Sequence, residues 1–316
     1  MSKYPDFTID DKWILSHRPD KNPVDPEIPY AYIVEKERNA SGEIVNTATI
    51  FLTNRECPFH CLMCDLWKNT TDFSVRKGSI ARQIQYALDR LTPATAIKLY
   101  NSGNFFDVRA IPQEDYADIA LLVKNFDTII VESHPKLINE KCLEFNEMLE
   151  GRLEIAIGLE TCHPDVLSSL NKKMNLDDLK GSVTFLNDHG ISSRTFILLN
   201  PPFLSKEEGI FWTRRSMDFA YEAGVDCCVI IPTRSGNGAI DWLHKKGYFY
   251  RPSIYALEEV MEYGIQLKKG RIFADLWDIE QFSTCEKCLD KRINRLTEMN
   301  LNQEISDRIH CSCMIS

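Results

Sequence analysis

Apolar and polar residues alternate with two different periods over residues 48–268. Short, nearly continuous apolar runs are typical of buried strands, whereas apolar residues three or four positions apart indicate amphipathic helices. The predicted strands are 48–53, 96–100, 128–131, 153–160, 192–199 and 227–231. The predicted helices begin near residue 80 and continue at 113–125, 139–149, 164–172, 176–188, 206–222, 238–246 and 254–268. Strands and helices that alternate with short connections predict right-handed βαβ units and a parallel sheet.

Six such units predict an α/β fold, built as a partial parallel (βα)6 barrel. A doubly wound open sheet would produce nearly the same string of elements, and periodicity does not separate the two. In both architectures the functional groups lie at the carboxyl ends of the strands. We divide the chain into a proline-rich, loop-like N-terminal extension (1–46), a core (47–273) and a cysteine-rich C-terminal tail (274–316).

Composition and charge restrict the cellular compartment and the binding partners that we expect for this protein. The chain has 316 residues and a net charge of −9, and it begins with a polar, acidic segment instead of a secretory signal. It has no apolar run close to the roughly 20 residues that span a bilayer. We therefore expect a cytoplasmic protein that does not bind membranes. The acidic balance disfavours RNA as a partner, because phosphate contacts need clustered Lys and Arg, although a local basic patch would still allow one.

Eleven cysteines is a high number for a cytoplasmic chain, where disulfides rarely persist. Seven of them fall into two tight groups, one near the first predicted strand and one in the tail. The remaining four lie in apolar helical or strand-like contexts and are interpreted as small buried hydrophobic residues: Cys142, Cys162, Cys227 and Cys228.

The first group directly follows the first predicted strand, in the sequence RECPFHCLMCDLW. Cys57, Cys61 and Cys64 form a C-x3-C-x2-C motif, and three thiolates on one loop can bind three corners of an iron–sulfur cubane. The fourth iron would then be open to a small ligand, as the free position of a catalytic metal is. The alternative is a zinc site with His60 as the fourth ligand, but zinc ligands usually come as two separated pairs.

This motif after a first barrel strand resembles the signature of the radical S-adenosylmethionine (SAM) superfamily. The resemblance implies a [4Fe–4S] cluster whose open iron binds SAM through its amino and carboxylate groups. It also implies reductive cleavage of SAM to a 5′-deoxyadenosyl radical that abstracts hydrogen from a substrate, with an external electron donor such as flavodoxin or ferredoxin. Met63 stands where the superfamily usually has an aromatic residue near the adenine.

The resemblance also implies SAM contacts after later strands. Ser102, Gly103 and Asn104 follow the second predicted strand, where the superfamily has a glycine-rich turn that binds the methionine amino group. Glu132 and Glu160, at the ends of the third and fourth strands, are candidates for contacts to the SAM ribose or to substrate, with a structural ion pair as the alternative. The lysines of LNKKMN (170–175) are expected to be solvated.

A run of motifs over about 48–255 is similar to one branch of the superfamily. SGNFFD, VESHP, GLET, NPPFLSKEE and YRP resemble the archaeosine synthase radical SAM subunit and, more distantly, HemN-like and Elp3-like enzymes. This resemblance implies a lysine-modified deazaguanine in tRNA as substrate, which the acidic charge fits poorly. The substrate class therefore stays open between a modified nucleoside and a small metabolite.

The second cysteine group lies in the tail as a C-x2-C pair and a C-x-C pair, formed by Cys285, Cys288, Cys311 and Cys313. Residues 289–310 between the pairs have the apolar spacing of a helix. Four thiolates can close either an auxiliary Fe–S cluster or a zinc site. Two further functions remain open: a non-catalytic, zinc-binding, RNA-associated module, and radical methyl or thio transfer with SAM as the donor.

Overall fold

The computed structural model describes residues 4–314, and within them the chain forms one eight-stranded sheet. The strands are β1 (Ala31–Arg38), β2 (Ile44–Phe51), β3 (Ala96–Tyr100), β4 (Thr128–Ser133), β5 (Arg152–Glu160), β6 (Ser192–Leu199), β7 (Cys227–Pro232) and β8 (Arg271–Ala274). They are neighbours in chain order, with β1 antiparallel to β2 and the rest parallel. A doubly wound sheet reverses its strand order at a switch point, so this sheet is a curled half-barrel instead.

Ten α-helices occur in the described part of the chain. They are α1 (Asp11–His17), α2 (Ser79–Leu88), α3 (Tyr116–Val123), α4 (Glu140–Met148), α5 (Pro164–Ser169), α6 (Leu176–Asp188), α7 (Lys206–Glu222), α8 (Ala239–Lys245), α9 (Ile254–Leu267) and α10 (Glu286–Asn302). Capping boxes at Asn175 and Ser205 fix the starts of α6 and α7. The main core lies between these helices and the outer face of the sheet.

The six predicted strands are present, but the prediction missed two others. Residues 1–46 were expected to be loop-like, and this is wrong for α1 and for β1, which pairs with β2 along its whole length. The barrel was expected to end at the sixth parallel strand, yet the four-residue β8 adds a seventh. β1 escaped detection because its inner face carries the charged residues Glu35 and Glu37, which break the apolar pattern.

On the concave face of the sheet, a layer of charged side chains lies at the amino ends of the parallel strands. Glu37 pairs with Lys98 and, at 2.8 Å, with Arg194. Glu154 pairs with Arg194 and, at 2.8 Å, with Arg271. Burial opposes ionisation of both carboxyls, but the surrounding cations hold their pKa values below the usual range. These pairs join β1, β3, β5, β6 and β8 across the inside of the sheet, so they close this end of the half-barrel.

An aromatic layer lies above the charged one. Side chains on a strand alternate between faces, so Tyr100 and Phe196 share the inner face with Lys98 and Arg194. The ring centroids of Tyr100 and Phe196 are 6.3 Å apart, and Phe51 lies 6.2 Å from Tyr100. The interior toward the carboxyl ends of the strands is therefore lined by aromatic rings.

Helix α10 covers the open side of the half-barrel, between β1 and β8. Arg38 of β1 donates to the carbonyl oxygen of Leu301 at 3.1 Å. The side-chain amide of Gln303 donates to and accepts from the backbone of Ile272, and Asn300 does the same with Ala274. Two side-chain amides thus take the hydrogen bonds that a further strand would make with the edge of β8.

No helix within residues 4–314 combines the length and the hydropathy that crossing a bilayer requires.

Candidate active site

The loop with the first cysteine group leaves the carboxyl end of β2 and is held by side-chain amides from two other loops. Asn237 donates to the carbonyl oxygens of Leu62 and Cys64, at 2.8 and 3.2 Å. Asn171 donates to the carbonyl oxygen of His60 at 2.8 Å. Three backbone carbonyls of the loop are therefore fixed from outside it, which sets the direction of the cysteine side chains.

The three thiols of this group are spaced too widely for one metal ion. Burial raises the pKa of each of Cys57, Cys61 and Cys64 to about 12, so the metal-free thiols are protonated and ligation releases protons. Among the described residues, only the tail cysteines bring three or more ligand atoms within 4.8 Å of one another. The three thiols are therefore not gathered around one tetrahedral ion, and their predicted role as ligands of an Fe–S cluster, which places each thiolate on a different iron, stays a prediction.

His60 does not supply a fourth ligand in this arrangement. Its ring nitrogens face carboxylates, with Nδ1 3.5 Å from Asp11 and Nε2 3.8 Å from Glu56. The zinc alternative for this loop therefore loses the residue on which it depended.

The predicted SAM-binding turn lies directly against Cys57. Asn104 Nδ2 donates to Cys57 Sγ at 3.1 Å. A Cβ placed on Gly103 would lie 3.0 Å from the Cβ of Cys57, which is tighter than most such contacts, so glycine allows the turn to approach the cysteine closely. Ser102 has φ +54°, in the left-handed region. The structure thus brings Ser102, Gly103 and Asn104 to the cysteine loop, as the motif order predicts.

Glu132 is buried beneath the same turn and holds its backbone. It accepts hydrogen bonds from the backbone N–H groups of Asn101 at 2.7 Å and Gly103 at 3.1 Å. Burial raises the pKa of Glu132 to about 7, and these backbone donors oppose the shift. The carboxyl group therefore shapes the turn, while the predicted contact of Glu132 with SAM or substrate stays a prediction.

Glu160 pairs with a lysine that the sequence analysis placed in solvent. Lys172 Nζ lies 2.6 Å from Glu160 Oε1, and Lys172 is only 7% exposed. The predicted helix 164–172 ends at Ser169, so Lys172 lies in the turn that follows and folds inward. A side chain on Gly158 would collide with both Glu160 and Lys172, so this glycine opens the space for the pair. The expectation of solvated lysines is wrong for Lys172 and holds for Lys173.

The charge of Lys172 acts on the cysteine loop. Although burial opposes it, the carboxylate of Glu160 and the sulfur of Cys61 raise the pKa of Lys172 above its ordinary value. In return, the ammonium group opposes the upward shift that burial imposes on the pKa of Cys61. A buried cation thus lies beside the predicted ligands. The sequence signal for the pair of Glu160 and Lys172 is Gly158, which comes two residues before the carboxylate at the end of β5.

His134 and Phe59 form a second contact that the sequence did not reveal. Their rings stack at 3.9 Å with an interplanar angle of 15°, and His134 Nε2 lies 2.9 Å from the carbonyl oxygen of Lys172. Burial lowers the pKa of His134 to about 4, so its imidazole is neutral near pH 7. The stack joins the cysteine loop to the end of β4 and to the turn that carries Lys172.

Met63 lies on the other side of the loop, in an apolar cluster separate from the main core. It packs against a group of buried residues that includes Leu198 of β6, Leu62 and Leu170. The predicted contact of Met63 with the adenine stays a prediction. Arg234, in the loop that follows β7, donates to the carboxylate of Asp275 at 2.8 Å.

The half-barrel, with a three-cysteine loop after its first parallel strand, is similar to solved structures of other proteins. Among solved structures, Streptococcus suis SuiB bound to S-adenosylmethionine superposes with a TM-score of 0.52 at 13% identity, covering 70% of this chain and 48% of SuiB. Methylornithine synthase (PylB) does so with a TM-score of 0.52 at 14% identity, covering 71% of this chain and 64% of PylB. At these identities the likeness establishes the fold.

Among curated sequences, the chain resembles archaeosine synthase subunit beta. The protein from Thermococcus kodakarensis is 27% identical over 48% of this chain and 49% of its own length, so the match spans about half of that relative. The protein from Methanosarcina acetivorans is 21% identical over 70% of this chain and 67% of its own length. An uncharacterized protein of Methanocaldococcus jannaschii is 22% identical over 92% and 86%. No protein-family model matches the chain. The predicted resemblance is confirmed.

Proposed function

We propose that this chain is a radical SAM enzyme in which Cys57, Cys61 and Cys64 hold a [4Fe–4S] cluster. The observation that carries the proposal is the three-cysteine loop at the carboxyl end of β2, with Cys57 packed against the Ser102–Asn104 turn. When bound, the cluster and SAM supply a reductive cleavage that yields methionine and a 5′-deoxyadenosyl radical able to abstract hydrogen from substrate.

The chain's own residues bind and orient SAM in this proposal. The Ser102–Asn104 turn presents its backbone to the methionine part, and Glu132 keeps that turn in shape from below. Met63 and Leu198 offer an apolar surface to the adenine. Glu160 is engaged with Lys172, which leaves one of its oxygens for a hydroxyl of the ribose or of substrate.

Lys172 has an electrostatic role in this site. Three thiolates that ligate iron bring negative charge into a buried region, and an uncompensated buried charge is costly. The ammonium group of Lys172 is buried with them and interacts with both Cys61 and Cys57. It therefore offsets part of that charge and positions the cluster relative to β5.

The substrate, in this proposal, enters the aromatic layer from the carboxyl ends of the strands, because the charged layer closes the opposite end. Rings at Phe51, Tyr100 and Phe196 suit a planar group, since aromatic faces stack on one another. The resemblance to archaeosine synthase subunit beta supports a modified nucleoside over other small metabolites.

The test is anaerobic reconstitution of the full chain with iron and sulfide, followed by dithionite and SAM. We expect at least about four iron and four sulfide per chain, as one cubane requires, together with 5′-deoxyadenosine. S-adenosylhomocysteine formed beside 5′-deoxyadenosine would indicate methyl transfer. Zinc bound in place of iron at Cys57, Cys61 and Cys64, with no SAM cleavage, would overturn the proposal in favour of a non-catalytic module.

Lys172→Met is expected to lower the rate of 5′-deoxyadenosine formation by about 10- to 100-fold, the usual cost of losing a partner just outside a metal's ligands. Lys173→Met is the matched control, because the adjacent side chain is 49% exposed and pairs with the partly exposed Asp11. We expect the control to retain its rate within about twofold, since such exposed pairs contribute little.

A double variant distinguishes two causes of a lower rate in Lys172→Met: the loss of the lysine charge and the presence of an unpaired Glu160 carboxylate. Lys172→Met with Glu160→Gln removes both members of the buried pair. If the double variant recovers the wild-type rate, then the unpaired Glu160 carboxylate caused the loss, and the electrostatic role of Lys172 is refuted. Iron content is measured in every variant, so that loss of the cluster is seen separately from loss of rate.

A further inference from the structure

We infer that the four tail cysteines hold a single zinc ion and not a second Fe–S cluster. All four sulfur atoms lie within 4.8 Å of one another. Cys285 Sγ is 3.9 Å from Cys311 Sγ, and Cys288 Sγ is 3.7 Å from Cys313 Sγ. The inference does not depend on the radical SAM proposal, because it uses a separate set of residues.

The sulfur separations match one tetrahedral ion. A Zn–S bond of about 2.3 Å at the tetrahedral angle places two ligand sulfurs about 3.8 Å apart. In a cubane, by contrast, each thiolate binds a different iron and points away from the others. The thiols of the first cysteine group do not all lie within 4.8 Å of one another, so the two cysteine groups differ in their spacing.

The tail site is built into the surrounding helices by a buried arginine. Arg292 Nε lies 3.3 Å from Cys288 Sγ, and its Nη2 donates to the carbonyl oxygen of Ile309 at 2.9 Å. The guanidinium carbon lies 3.9 Å from the ring centroid of Tyr255, whose hydroxyl contacts Cys313 Sγ at 2.6 Å. A tetrathiolate around a divalent ion keeps a net negative charge, and Arg292 offsets part of it.

A second buried arginine fixes the segment that leads to the last two ligands. Arg295 donates to the carbonyl oxygens of Ser306 at 2.7 Å and Asp307 at 2.9 Å, and it pairs with Glu262 of α9 at 2.7 Å. The ion therefore joins the start of α10 to the returning tail, with α9 behind both. Four thiolates close the coordination sphere, so the site is structural and leaves no position for substrate.

The first experiment uses cobalt as an optical probe of coordination. The full chain carries Cys57→Ala, Cys61→Ala and Cys64→Ala, so that no cluster absorbs, and zinc is removed with a chelator under reducing conditions. Added Co²⁺ is expected to give intense thiolate charge-transfer bands and the visible bands of a tetrahedral ion, saturating at about one equivalent. One equivalent of Zn²⁺ should then abolish these bands.

The same triple variant can also contradict the inference. It would do so if the tail bound about four iron and four sulfide per chain under anaerobic conditions and if Co²⁺ gave no tetrahedral spectrum. Cys162→Ala, added to the triple variant, is the control. Its thiol belongs to neither group, so the cobalt spectrum should be unchanged.

Metal analysis of the otherwise wild-type chain gives an independent test. We expect about one zinc per purified chain, and none after Cys285→Ser with Cys288→Ser. The first cysteine group is intact in that variant, so its iron and its 5′-deoxyadenosine formation report the radical SAM proposal separately. Equal zinc content in both proteins would contradict the assignment.

Discussion

Replacing Cys57, Cys61 and Cys64 together with alanine is expected to abolish 5′-deoxyadenosine formation and to remove about four iron per chain. The three thiols share one loop, and Cys57 of this loop lies against the Ser102–Asn104 turn. His60 does not replace them, because its ring nitrogens face Asp11 and Glu56. The measurement is 5′-deoxyadenosine after addition of dithionite and SAM, beside iron and sulfide content.

The control for the triple variant is Cys162→Ala, which removes one partly buried thiol that belongs to neither cysteine group. It should retain both iron and SAM cleavage. Retention of zinc at the tail and an unchanged circular dichroism spectrum would show that the triple variant is folded. SAM cleavage that survives in the folded triple variant would refute the assignment of the cluster ligands.

Arg194→Met is expected to lower the free energy of unfolding by about 3–5 kcal/mol, the usual cost of breaking a buried ion pair from one side. Arg194 is 2% exposed and contacts both Glu37 and Glu154 in the charged layer. Without its guanidinium, two carboxylates from different strands lose a shared partner inside the half-barrel. Urea denaturation of the metal-loaded wild type and variant measures the difference.

Arg215→Met is the matched control for this stability prediction. Arg215 is 58% exposed and pairs with Asp218 at 3.7 Å on the surface of α7. Such an exposed pair contributes at most about 1 kcal/mol, so this variant should unfold close to the wild type. Equal stability losses in the two variants would mean that the charged layer does not hold the strands together.

The sequence predicted the elements that bury an apolar face against the helices. Strands 96–100 and 192–199 and helices 176–188 and 206–222 agree with the structure, because their periodicity reflects one shared core. β1 was missed because its buried face is charged and is satisfied by partners 61 to 157 residues away along the chain. Sequence periodicity does not contain such pairings.

The sequence predicted the parts of the candidate site that lie within one short motif. It did not predict the contacts between turns that are far apart in the sequence. The cysteine spacing and the Ser102–Asn104 turn are each contiguous in the sequence. The burial of Lys172 depends instead on Gly158 and Glu160 on β5, and the stack of His134 on Phe59 depends on two loops meeting. The tail was predicted to bind metal, but the choice between cluster and zinc needed the sulfur separations.

Helix α10 covers the open side of the half-barrel between β1 and β8, and this affects how that part of the barrel wall can change through evolution. Between strands the wall is joined by backbone hydrogen bonds, which persist whatever side chains the strands carry. At the edge of β8 the joint consists of two side-chain amides, from Asn300 and Gln303. A single nucleotide change can remove or restore either of them. The contact between α10 and β8 is therefore the part of the barrel wall that single substitutions can alter. Such substitutions leave the carboxyl ends of the strands, where the candidate active site lies, unchanged.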